Sequence, residues 1–140
     1  MTITIILILL FLTLKAPERR CLWIERTEPI TTFDPMLYAF EKVESDFVCD
    51  TINQLGYGGI LQIGQEMINE VNKLCIKHKI PCQFTLDDRL DRKKSEHIWR
   101  IVQYYHNRKY DLQKACLIWN PKANTKYMMR IKKAMIVAKP

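Results

Sequence analysis

The chain lacks acids at one end and charge at the other, and it is poor in glycine, proline and paired cysteine throughout. Only 4 glycines and 6 prolines occur in 140 residues, which excludes collagen-like and flexible-linker character. The five cysteines, at positions 21, 49, 75, 82 and 116, are odd in number and contain no Cys-x-x-Cys. Neither a disulfide-dense secreted scaffold nor a regular zinc module fits that pattern. No serine-centred nucleophile elbow is present. What remains, 48% apolar and 26% charged residues, is the balance of one globular domain with a real core.

Charge is distributed unevenly. No acid follows Asp111, whereas Lys114, Lys122, Lys126, Arg130, Lys132, Lys133 and Lys139 do; the first 111 residues are neutral overall. A neutral body with a cationic end points to an anionic partner, which charge alone leaves open as nucleic acid, lipid headgroups or an acidic protein face. At the other end Met1 to Leu14 carries no charge and reads ITIILILLFLTL before Lys15, Arg19 and Arg20. As a helix, fourteen residues reach only ~21 Å of a ~30 Å hydrocarbon core. A short membrane-embedded or partner-embedded helix is the first reading, a cleaved signal the second and a core strand the third.

The remainder reads as helices, and the expected class is all-α. Residues 15–33 form a connector, 34–121 a helical body and 122–140 a basic C-terminal helix or tail. Asp34-Pro35 is a helix start, an acceptor followed by proline at the first helical position. Leu37, Phe40, Val43, Phe47, Ile52 and Leu55 recur at helical spacing until Gly56. Gly56-Tyr57-Gly58-Gly59 is a turn, after which Ile60, Ile63, Met67, Val71, Leu74 and His78 fall on one face. So short a link predicts an antiparallel helical hairpin over about 34–79. Pro81 to Lys94 reads as a solvated loop with surface ion pairs among Asp87, Asp88, Arg89, Asp91, Arg92, Lys93 and Lys94. Ser95 caps a third helix bearing Ile98, Trp99, Ile101, Val102 and Tyr105, Asn120-Pro121 breaks the chain, and a last helix runs from Asn124 through Ala138.

Candidate chemistry is sparse. Cys75, His78 and Cys82, as Cys-x2-His-x3-Cys, offer zinc-type donors, but a buried thiol and a core histidine account for them as well, and a fourth ligand would have to come from His97, His106 or Cys116. The glycine turn matches no phosphate-binding fingerprint. Tyr104, Tyr105, Arg108, Lys109, Tyr110 and Tyr127 mix aromatics with cations, as a single-strand RNA binder would. No catalytic set is visible, so no enzyme, cofactor or small-molecule substrate is expected. The tail is assigned to partner binding, with Lys122, Lys126, Arg130, Lys132 and Lys133 setting orientation and Met128, Ile131 and Met135 giving apolar contact.

The stretch from Leu55 to Val71 resembles the helix, glycine turn and helix of a small accessory subunit of mitochondrial NADH:ubiquinone oxidoreductase, complex I. Leu55, Gly56 and Gly58 match, Glu66 and Glu70 match by character, and Val43-Glu44-Ser45-Asp46 resembles the acidic entry upstream; the likeness covers about residues 36–78. It implies a non-catalytic helical subunit on the inner mitochondrial membrane, without a cofactor and packed against larger subunits. The alternative is a basic RNA-associated protein, such as a component of a mitochondrial ribonucleoprotein particle.

Overall fold

The computed structural model describes residues 33–138. The apolar segment 1–14, the connector up to residue 32 and Lys139 lie outside them. The described chain is all-helical: α1 (Pro35–Ser45), α2 (Gln65–Lys77), a 3-10 turn (Leu86–Leu90), α3 (Arg92–His106), α4 (Leu112–Trp119) and α5 (Thr125–Val137).

Helix α1 starts where the sequence says it should. Asp34 Oδ1 accepts from the backbone N–H of Met36 and Leu37, both at 3.0 Å, and Pro35 takes the first turn. It ends ten residues before the expected Leu55, because Asp46 and Phe47 both turn left-handed, at φ 56° and 67°. Their N–H groups close back on Lys42 and Glu41. The apolar residues that extended the periodicity, Ile52 and Leu55, are 54% and 83% exposed, so the pattern past residue 47 is not a buried stripe.

Residues 46–64 therefore form a long link rather than a four-residue turn. Gly58 and Ile63 exchange two backbone hydrogen bonds, at 3.1 and 2.7 Å, and Asn53 Oδ1 organises the outer bend through Leu55 N and Tyr57 N. Gly59 sits at φ 76° against the 3-10 turn, where a Cβ would lie 1.7 Å from the Arg89 carbonyl oxygen; only glycine permits that approach. Arg89, expected on the surface, is instead buried beneath this link and donates from Nη1 to the carbonyls of Gly56 at 2.6 Å and Ile63 at 3.3 Å.

Both expected hairpin helices exist, yet each packs chiefly elsewhere: α1 against α5, α2 against α3. Helix α2 begins at Gln65 rather than Ile60 and stops where Lys79 turns to φ 56°. Asn72 fixes the following loop by pairing its amide with both backbone groups of Phe84, each at 2.8 Å. Helix α3 begins three residues before Ser95, capped by Asp91, while Ser95 is buried and donates to the Arg89 carbonyl at 2.7 Å. Asn107, also buried, joins Gln103 to Asp111 and so turns the chain into α4. One core results, centred on Phe40 and Trp99 with ring centroids 5.9 Å apart.

Candidate functional site

The last turn of α1 carries a carboxyl that the sequence pattern does not announce as functional. Glu44 lies half-buried and accepts a hydrogen bond from the Tyr127 hydroxyl of α5. Burial pushes its carboxyl above the usual range, against the opposing pull of the Tyr127 hydroxyl and the Arg130 charge. Burial and the Glu44 charge raise the Tyr127 phenol in turn, so the hydroxyl keeps its proton and acts as donor. Arg130 is placed beside the pair by its contact from Nη2 to the Val43 carbonyl at 3.4 Å.

Two further contacts bring other segments to this end of α1. Ser45 Oγ donates to the Ile60 carbonyl at 2.7 Å, and Trp119 Nε1, at the end of α4, donates to the Leu61 carbonyl at 3.0 Å. The next residue, Gln62, is held left-handed at φ 49°, a conformation unusual for a non-glycine residue and concentrated at functional sites. Its side chain accepts from Asn53 Nδ2 at 3.1 Å and donates to the Gly59 carbonyl at 2.9 Å. Around a half-buried carboxyl that burial holds above its usual range the fold thus gathers a phenol and a guanidinium, with the link anchored alongside at Ser45. Cys116 is no nucleophile there, since burial and nearby Glu44 and Asp111 push its thiol up to about 11.

The sequence-derived candidates fare differently. Cys75 and Cys82 do meet, with sulfurs 3.2 Å apart. His78, expected on the inner face, is exposed, its ring stacked on Tyr105 at 3.8 Å and 13°. Among the described residues no three metal-type ligands gather. His97 instead packs edge-on to Phe84, and His106 pairs with Glu70 at 2.8 Å. Of the aromatic and basic set, Tyr104 and Tyr105 pack edge-on at 4.9 Å and Tyr105, Arg108, Lys109 and Tyr110 border one concavity, where Tyr110 donates to Asp34; Tyr127 lies apart and serves Glu44.

The tail assignment needs a correction in its apolar half. Ile131 is fully buried and Met128 and Met135 pack against the core, because these positions face α1. Ile131 is therefore an internal contact, and Met128 and Met135, half-buried, give part of their surface to the core. Lys122, Lys126, Arg130, Lys132 and Lys133 are exposed as expected.

No family model, curated protein or solved structure matches this chain. The signal for Glu44 is nonetheless present in its sequence. Glu41 and Glu44 fall on the stripe of Leu37 and Phe40, at steps of three and four, so α1 directs acids along its buried side.

Proposed function

We propose that the chain is an enzyme in which Glu44 acts as general acid in the cleavage of a glycosidic carbon–oxygen bond. The carrying observation is the Glu44 carboxyl itself, raised by burial, still partly accessible, and oriented by the Tyr127 hydroxyl. A carboxyl raised by burial keeps its proton to higher pH than a solvated one and can hand it to a departing oxygen, which is the acid step of glycoside cleavage. Thiol-based acyl transfer is disfavoured by the raised Cys116. Within the adjoining link the amides of Asn53 and Gln62 bind each other, and the phenol of Tyr57 is partly exposed. In the step proposed, the Glu44 proton passes to the bridging oxygen as its bond to the anomeric carbon breaks. Water then adds to that carbon, and its proton returns to Glu44.

The test is to incubate the full chain with polymeric glycans of neutral and N-acetylated sugars, from acid to neutral pH, and to measure new reducing ends. Cleavage by the parent and its loss in Glu44→Gln, with unchanged melting, supports the assignment. Equal cleavage by both proteins, or none by the parent on any glycan, overturns it.

A second reading, favoured by the exposed lysines of α5, is a non-catalytic accessory subunit of a membrane complex. Its narrower form, a respiratory complex of the inner mitochondrial membrane, rests on the residue match alone, and the matched Leu55, Gly56 and Gly58 lie in the link rather than at a helix end. Comigration with a respiratory complex on native electrophoresis would favour it; comigration with ribonucleoprotein particles would favour RNA association instead.

A further inference from the structure

Helix α5 has a second face that the core does not use. Ile131 and its neighbours at helical spacing face α1, which sends Met129, Ile136 and Val137 outward, at 65, 69 and 69% exposure. Lys126, Lys132 and Lys133 stand exposed on the same side. None of the ion pairs among the described residues includes any of these three lysines, and the sequence after Asp111 holds no acid to offset them.

We propose that this outward face of α5 binds an anionic lipid surface. Charge complementarity requires an anionic occupant, and the apolar side chains decide which kind. A purely electrostatic partner, an acidic protein face or a nucleic acid backbone, leaves Met129, Ile136 and Val137 in water or against polar groups. A bilayer interface takes both classes together: the apolar side chains enter the headgroup and acyl boundary while the lysine stems lie along it and their ammonium groups reach the phosphates. With α1 packed on its opposite side, α5 can lie flat on the surface without unfolding the core. The sequence contains a second lipid-seeking stretch, the uncharged Met1 to Leu14 followed by Lys15, Arg19 and Arg20, and stable attachment generally needs two such signals. The inference is independent of the role of Glu44, which lies on the α1 side of the helix.

The full chain is tested by flotation with vesicles of phosphatidylcholine alone and of phosphatidylcholine containing one third phosphatidylserine. Binding should favour the anionic vesicles and weaken with salt. Lys126→Glu/Lys132→Glu/Lys133→Glu and Met129→Ser/Ile136→Ser/Val137→Ser should each weaken it by roughly tenfold or more, with circular dichroism and melting as in the parent. The single variant Ile136→Trp should show a blue-shifted emission component, quenched by brominated acyl chains, on the anionic vesicles only. Loss in the charge variant with full binding in the apolar variant would make the face a polyanion site, for an acidic protein or RNA, and overturn the proposal. Undiminished binding in both variants would assign attachment to another part of the chain and overturn it equally.

Discussion

The hydroxyl of Tyr127 donates to Oε1 of Glu44, joining residues 83 positions apart. This bond crosses the α1–α5 interface, the most extensive helix contact among the described residues, so the fold's main packing also orients a half-buried carboxyl that burial raises. Because hydrogen bonding favours the ionised carboxylate, Tyr127 restrains a rise that burial alone would carry further.

Tyr127→Phe should therefore move the Glu44 titration upward. The basic limb of the pH profile of glycan cleavage shifts to higher pH, while the melting temperature falls by the equivalent of about 1 kcal/mol. A limb moved downward would mean that the phenol does not stabilise the carboxylate.

Glu41 gives a pH dependence of stability. Its carboxyl is buried and pushed up to about 7, first by burial and secondarily by Glu96, while Arg92 at 2.9 Å pulls it down. A raised carboxyl binds its proton more tightly in the folded state, so the stability it contributes is full below the unfolded value of about 4.5 and is lost as pH rises through about 7. Glu41→Gln cannot ionise. Its melting temperature relative to the parent should therefore climb across that window, at about 1.4 kcal/mol per pKa unit removed. Parallel melting curves from pH 4.5 to 7 would contradict the assignment.

The two left-handed glycines of the link should respond unequally to alanine. At Gly56, φ 83°, an added Cβ meets nothing within 4 Å, so Gly56→Ala costs only the strain of its backbone, about 1 kcal/mol. At Gly59 the Cβ collides with the Arg89 carbonyl, and the loss should exceed ~3 kcal/mol or abolish the fold. Equal melting of the two variants would contradict this packing.

Arg89→Met tests what lies beneath the link. The Gly56 carbonyl would lose its guanidinium donor while that of Ile63 keeps the Gly58 N–H, at about 1–3 kcal/mol for the lost charged contact. Amide exchange should quicken over residues 51–63 before it quickens in α3; uniform quickening would place the effect in the whole core instead.

The helical class, the Asp34-Pro35 start, the Trp99 face of α3 and the span of α5 were legible because each has a local cause: a cap, a proline, or apolar spacing that tertiary contacts preserve. The end of α1 was not. Ile52 and Leu55 continue a helical spacing that Asp46 and Phe47 interrupt through left-handed backbone, and neither residue type announces it. Arg89 was misplaced for a related reason: a charge run marks solvent by default, and only the long-range approach of the glycine link makes that guanidinium internal. Glu44 stands in the sequence as an acid on a core-facing stripe, but its partners Tyr127 and Arg130 are supplied by a helix remote in sequence. Met128, Ile131 and Met135 were rightly grouped as one face, which the core covers wholly at Ile131 and in part at the two methionines.

Titration of the Glu44 carboxyl by carbon-detected NMR, recorded on the folded chain and assigned by comparison with Glu44→Gln, tests the central claim most directly. A midpoint above the usual 4.5, coinciding with the basic limb of glycan cleavage, is the expected result. A midpoint at or below 4.5 would show a carboxylate ionised at working pH and would remove Glu44 as the acid.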